Sequence, residues 1–293
     1  MDGVLILDKP AGISSHGAVQ KLRRLTGIKR IGHLGTLDPL GTGVLPMIVG
    51  RATRLAQFFS HHERTYEAVI RFGFSTDSYD ADGEATSEAQ PITLSKEQLK
   101  DLLPQFTGKL MQTPPPISAK KIDGVPAYKL TRKNKPPRLE PVEIEVYEFE
   151  LLGVGGDRAE VRVRCATGTY VRALAHELGQ KLAVGAHVES LRRTAMGEFT
   201  VENAHTLEKL EALRDEGNLE DAFLSAESLL PEIPVERVDD ITAGRIAHGR
   251  DFWVSAFGNR HGAKLVKAIA PDGRLLAIAE AKLPLLYHPI VVL

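Results

Sequence analysis

Cysteine is nearly missing from this chain: Cys165 is the single one in 293 residues. One thiol cannot close an intrachain disulfide, and that usage suits a reducing cytoplasm, where the protein is expected to work. Tryptophan also occurs once, and aromatic residues make up 6% of the chain. No apolar run approaches the ~18 residues that suggest a membrane span. The start, MDGVLILDKP, has an apolar run of only four and carries acids early, so it reads as neither a signal peptide nor an anchor. Several motifs are absent too. There is no GxGxxG fingerprint, no Gly-Lys-Ser/Thr phosphate loop, no HExxH, no paired-cysteine spacing and no GxSxG elbow. Dinucleotide binding, phosphate-loop chemistry, a zinc site and a serine nucleophile therefore lose their usual sequence support. Cys165, within the apolar VRVRCATG, reads as a core residue.

Net charge is also nearly absent, at −1, but this neutrality is an average. Residues 1–72 carry a surplus of five positive charges and residues 105–141 a surplus of six, whereas 73–104 and 201–233 carry acidic surpluses of five and seven. Two readings stay open: ordinary solvated charge, or basic blocks that share a face and follow a phosphate backbone.

What is present is a soluble globular composition, 43% hydrophobic and 26% charged. GVLILDKP reads as a buried strand. SSHGAVQKLRRLTG reads as a helix capped by Ser14 or Ser15 and stopped by Gly27, with Lys21, Arg23 and Arg24 outward. ATRLAQFFS predicts a short helix, RTYEAVIRFGF a strand, and LSKEQLKDLLPQF a helix capped by Ser95. TDSYDADGE predicts an acidic surface turn; as a calcium loop it fails, because Ala89 stands where the bidentate Glu belongs. Residues 112–141 are rich in proline and basic residues and predict a long loop or excursion. PVEIEVYEFELLGV and AEVRVRCATG predict paired strands, TYVRALAHELGQKL an amphipathic helix, HVESLRRTAMGEFTV a strand, and HTLEKLEALRDEGNLEDAFLSAESLL an acidic helical stretch. Past the boundary predicted at Pro231–Pro234, short strands with Gly and Asp-Gly turns predict a small β-rich module.

One stretch concentrates backbone punctuation around a lone acid: GHLGTLDPLGTGVLP, with Asp38 before Pro39. Proline biases the residue before it toward an extended backbone and fixes its own φ, while the glycines permit sharp turns and close approach of a ligand. Such a carboxylate can be a nucleophile or a general base. Spacing alone leaves open the alternative that Asp38 caps a turn.

LDKPAGISS, GHLGTLDPLGTGVLP, RTYEAVIRFGFSTDSYDADG, CATGTYVRALAHELG and HVESLRRT follow one another in that order. The ordered set resembles the TruB family, the bacterial tRNA pseudouridine-55 synthases, over about residues 3–200. The remainder is similar to that family's C-terminal RNA-binding module of the PUA type. The resemblance implies an α/β (α+β) pseudouridine synthase fold with a mixed, largely antiparallel sheet, as a catalytic domain over 1–230 and a PUA-like domain over 234–293. It implies Asp38 as the catalytic aspartate, Arg172 as its partner, and Tyr66 as the residue that stacks on the target base and abstracts a proton. Tyr170 and Leu191 match pocket residues, His33 the histidine that helps displace the base, and Lys9 and Pro10 the motif that supports the pocket. Arg54 stands where the family carries a basic residue. Tyr170 and Arg172, two apart, would face the same way on a strand end. Residues 112–141 match a mobile RNA-binding insertion in which Lys120, Lys121, Lys129, Arg132, Lys133 and Arg138 are phosphate contacts. Gly41 and Ile117 depart from the family's more usual alanine and tyrosine. The implied partner is the T-stem-loop of tRNA, bound by a monomer without metal, organic cofactor, obligatory protein partner or membrane. A guide-dependent ribosomal RNA enzyme and a non-catalytic tRNA chaperone are the rival readings.

Overall fold

Buried aliphatic residues make up most of β1 (Gly3–Lys9), which opens the chain in a computed structural model describing residues 1–117, 121–122, 125–126, 139–255 and 262–293. α1 (Ser15–Thr26) follows; the Ser14 hydroxyl caps it by accepting from the Gly17 N–H at 3.0 Å, and Gly27 ends it at φ 72°. β2 (Ile31–His33) and β3 (Thr42–Val49) flank the glycine-rich stretch, so Asp38 lies in the loop between them. The predicted short helix is a 3-10 helix, Gly50–Phe59. β4 (Arg64–Phe72) alternates strictly between buried and half-buried positions, as its sequence does.

α2 (Lys96–Leu102), capped by Ser95, leads to β5 (Gly108–Gln112). Within the basic excursion lie two short paired strands, β6 (Lys121–Ile122) and β7 (Val125–Pro126). β8 (Val142–Gly155) and β9 (Arg158–Cys165) form the expected hairpin, and α3 (Val171–Lys181) leads to β10 (Ala186–Met196) and β11 (Phe199–Thr200). The acidic stretch is helical in α4 (Leu207–Asp215), which Gly217 follows at φ 77°, and in a 3-10 turn over Leu219–Ala222. C-terminal of it lie β12 (Val235–Arg237), α5 (Asp240–Ala247), β13 (Phe252–Trp253), β14 (Leu265–Ile269), β15 (Leu275–Leu283) and β16 (Leu286–Val292). α5 corrects the expectation of strands alone in this region. Asp239 caps it by accepting from the Thr242 N–H at 2.7 Å, a local signal that the Gly-rich texture masks.

The large sheet runs β1-β3-β10-β4-β9-β8-β5, with β2 beside β3 and β11 beside β10. Its pairs are antiparallel except β10 with β3, so the sheet is mixed and largely antiparallel as expected. That parallel contact decides the site, because it sets β10 against the strand that follows the Asp38 loop. Gly43 makes it possible: at φ 94°, a Cβ there would lie within 2.2 Å of the Arg193 carbonyl oxygen. The smaller sheet, β12-β14-β15-β16-β13, has its own core around Ile246, Phe252, Val266 and Tyr287. The two sheets meet through an apolar cluster that includes Val4, Ile48, Leu230, Ile233, Ile278 and Val291.

Candidate active site

Asp38 is held by its neighbours. The buried Ser15 hydroxyl both accepts from the Leu37 N–H and donates to the Leu37 carbonyl, each at 2.8 Å. Lys9, fully buried, donates from Nζ to the carbonyls of Pro10 and Ile13 at 2.8 Å and of Pro39 at 3.2 Å. Burial brings the Lys9 ammonium down to about 8, against the pull of the Asp38 charge. Lys9 thus ties the Asp38 loop to the turn after β1, Pro10 supplies one of its acceptor carbonyls, and neither residue lines the cavity in front of the loop.

The counter-ion is Arg172, almost wholly buried, with Nε 2.9 Å from Asp38 Oδ2. Its Nη1 lies 3.1 Å from Asp80 Oδ2 and donates to the Ser78 carbonyl at 2.8 Å, while Nη2 donates to the Ile117 carbonyl at 3.1 Å. One guanidinium therefore bridges two carboxylates and two carbonyls, a use of its rigid fork that an ammonium cannot copy. Arg172 stands in the first turn of α3 rather than on a strand end, since β9 stops at Cys165 and a turn intervenes. Tyr170 is the residue before that helix. Reciprocal bonds with the Gln112 side chain, at 2.9 and 3.1 Å, fix its backbone.

Asp80 is the residue that sequence reasoning misplaced. The TDSYDADGE turn is acidic, yet Ser75, Thr76, Ser78 and Asp80 are buried. The turn folds back onto β10, where Ala81 donates to the Val188 carbonyl and Val188 to the Tyr79 carbonyl. Ser78 donates to Asp80 Oδ1 at 2.6 Å, which aims the other oxygen at Arg172. A turn closed by long-range backbone bonds leaves no local pattern. The available signal was that it lies within one of the ordered motifs.

A cavity of about 430 Å³ opens in front of Asp38, lined among others by Tyr66, Tyr170, Arg172, Leu191 and Arg64. Tyr66 comes from β4 and Leu191 from β10, so the structure brings Asp38, Tyr66, Tyr170, Arg172 and Leu191 to one cavity. Burial is the largest influence on the Asp38 carboxyl and raises it above the ordinary aspartate range. Arg172 opposes that shift, Asp80 adds to it, and Lys9 opposes it from farther off.

Of the remaining predicted residues, His33 and Arg54 do not line this cavity. His33 sits on β2, opposite Met47, with Nδ1 lacking a hydrogen-bond partner among the described residues. Burial, then Arg193 and His16, lower its pKa. Arg54 donates to the Val292 carbonyl at 2.7 Å and ties the 3-10 helix to the C-terminal strand. Lys120, Lys129, Arg132, Lys133 and Arg138, and the side chain of Lys121, lie outside the described residues. Among the described residues, no group of three or more His, Cys, Asp or Glu could hold a metal, and no helix is long and apolar enough to cross a membrane. Gly41 has room for the family's more usual alanine: an added Cβ would meet nothing closer than 3.4 Å.

The model of the TruB family pseudouridylate synthase N-terminal domain matches residues 23–171, and that of the tRNA pseudouridylate synthase B C-terminal domain matches 172–231. The chain belongs to the TruB family. It is 51% identical to tRNA pseudouridine synthase B of Solibacter usitatus, over 100% of both chains. It is 40% identical to the Aquifex aeolicus protein of the same name over 96% of each. Among solved structures, the Cbf5-Nop10-Gar1 complex contains a chain similar at TM-score 0.68 and 27% identity, covering 97% of this chain and 79% of that one. Family membership makes the protein a pseudouridine synthase, an isomerase of tRNA processing.

Proposed function

We propose that the protein converts uridine 55 in the T-loop of tRNA to pseudouridine, acting alone, with residues 1–230 as the catalytic domain and 234–293 as an RNA-binding module. The observation that carries this reading is the ion pair of Asp38 with the buried Arg172 in the wall of a cavity shared with Tyr66. The reaction breaks the N1–C1′ bond, turns the uracil and joins C5 to C1′, so no redox equivalent is consumed. The glycosidic bond is concealed in folded RNA, and the nucleotide must be flipped out at a cost of a few kcal/mol. Stacking on Tyr66, worth roughly 1–3 kcal/mol per base, offsets much of that cost. Asp38, held ionised by Arg172, attacks the ribose or the base, or removes a ribose proton. Tyr66 then takes the proton released as the new bond forms. Tyr170 and Leu191 wall the base in, while His33, on the neighbouring strand, meets the loop from which the base is displaced.

The test is to incubate purified protein with unmodified tRNA transcript and map pseudouridine. Modification at position 55 alone is expected. Modification that requires a guide RNA and partner proteins would move the protein to the guide-dependent class, and binding without modification would make it a chaperone.

The basic insertion carries a separate expectation. Neutralising Lys120, Lys121 and Lys133 together should remove about three phosphate contacts and flatten the salt dependence of tRNA binding, at roughly 0.7–0.9 of a logarithmic unit per contact. An unchanged slope would take these lysines out of the RNA interface.

A further inference from the structure

Arg192 and Arg193 are neighbours on β10 with opposite surroundings. Arg192 points outward and makes a two-pronged pair with Asp8, at 3.0 and 2.8 Å. Arg193 points inward and has no exposed surface. Among the described residues no carboxylate pairs with it. Its Nε donates to the Val44 carbonyl at 2.7 Å and its Nη2 to the Gly35 carbonyl at 3.0 Å. Its Nη1 is buried without a hydrogen bond. A guanidinium stays charged under all ordinary conditions, and burying one without a counter-ion costs several kcal/mol.

Two roles could justify that cost. The first is a staple: two carbonyl bonds hold the Asp38 loop and β3 against β10. A staple needs donors, but not a positive charge. The second follows from the sheet register, in which Arg193 stands directly opposite Tyr66 on β4. Residues directly opposite in an antiparallel pair share a face of the sheet, so the Arg193 guanidinium and the Tyr66 phenol lie on the same side of it. Burial raises the Tyr66 phenol above its ordinary range, and Arg193 is the strongest influence in the opposite direction, with Arg64 adding to it. Arg64 approaches the same point. A Cβ at Gly35 would lie 3.0 Å from Arg64 Nη2 and 3.4 Å from Arg193 Nη1. Two cations thus converge beside a tyrosine that lines the reaction cavity.

We propose that Arg193 is the positioning residue for Tyr66, fixing its phenol in the cavity wall and supplying the positive charge against which the phenol oxygen loses and regains a proton. This rests on the proposed role of Tyr66 as the proton-abstracting group. The proton ledger closes. The phenol proton leaves to solvent, and the phenolate takes C5–H of the reattached uracil as a proton. The C–H electron pair returns to the ring, the phenol is restored, and Arg193 keeps its own protons throughout.

The test is a cycle of Arg193→Gln, Tyr66→Phe and the double variant, read as single-turnover pseudouridine formation, with tRNA affinity and urea midpoints alongside. Arg193→Gln is expected to slow turnover by about tenfold or more, and to move the alkaline-rising part of the pH–rate profile to higher pH. Its tRNA affinity should stay within about threefold of the parent. Arg193→Lys should recover part of the rate, because the charge is kept. In the Tyr66→Phe background, Arg193→Gln should change the rate by less than about twofold, since residues that act as a unit are not additive. Equal slowing in both backgrounds, or no slowing in either, overturns the proposal and leaves Arg193 a staple. A Tyr66→Phe variant at parental rate sinks the underlying reading of Tyr66 and the inference with it. If Arg193→Gln does not fold, Arg193→Met takes its place in the cycle on the same criterion, since it too removes the charge.

Discussion

Asp38→Asn is expected to abolish pseudouridine formation, by three orders of magnitude or more, which is about 4 kcal/mol of barrier. The amide is nearly isosteric with the carboxylate. It keeps the loop, whose fixing bonds run through Ser15, Lys9 and backbone groups rather than through the Asp38 side chain. Binding of tRNA should stay within about tenfold, ~1.4 kcal/mol, because phosphate contacts rather than the catalytic acid dominate affinity. Stability should not fall. A carboxyl whose pKa is raised in the folded protein costs stability as pH climbs from its unfolded value through its folded one, so at neutral pH removing the charge relieves that cost. The same shift has a kinetic sign. In the proposed mechanism Asp38 acts ionised, so kcat of the parent should fall on acidification through a pKa above the usual ~3.9 of an aspartate. A pH–rate profile and a urea melt of Asp38→Asn check both statements. Normal turnover in the variant would remove Asp38 from the chemistry.

Arg172→Lys is expected to show the second large effect, even though charge is conserved. Arg172 meets Asp38, Asp80, the Ser78 carbonyl and the Ile117 carbonyl at once, and a lysine ammonium cannot span these positions. Asp80 is buried and would be left with a weakened partner; breaking a buried pair of this kind costs about 3–5 kcal/mol, and a retained ammonium sets the expectation at the lower end. The Asp38 carboxyl would also lose its main opposing influence, so the acid limb of kcat should move to higher pH and turnover at neutral pH should drop about a hundredfold. Urea denaturation and the pH–rate profile read the two effects separately. A lysine variant with parental stability and an unmoved acid limb would show that the bridge between the two carboxylates is dispensable.

Local physics made much of the molecule legible. The alternation in RTYEAVIRF is the burial pattern of β4, because one face of that strand is covered and the other half-covered. Ser14, Ser95 and Gly27 act as caps where their side chains and backbone freedom predict. The pieces read incorrectly share a cause. Asp80 looked like surface acid because the bonds that bury its turn reach to Val188, far along the chain. Arg193 was passed over because nothing in LRRT tells which arginine faces the core; that depends on the register of β10 against β4. α5 was missed although its cap was local, because Gly and Asp-Gly turns dominated the reading of that region.

By itself, the sequence determined most of the elements in their order and a loop built to hold one carboxylate. Through its ordered motifs it also determined the family. These rest on short-range preferences, on hydrophobic period and on residue types that few folds require together. Tertiary structure decided what that carboxylate meets. Asp38 lies in the β2–β3 loop, Tyr66 on β4, Asp80 in a returning turn and Arg172 on α3, and they converge because β10 pairs with β3 on one side and β4 on the other. The charge balance of the site depends on that convergence, since Coulomb interactions act across space in a buried setting and leave no trace in the spacing of residues along the chain.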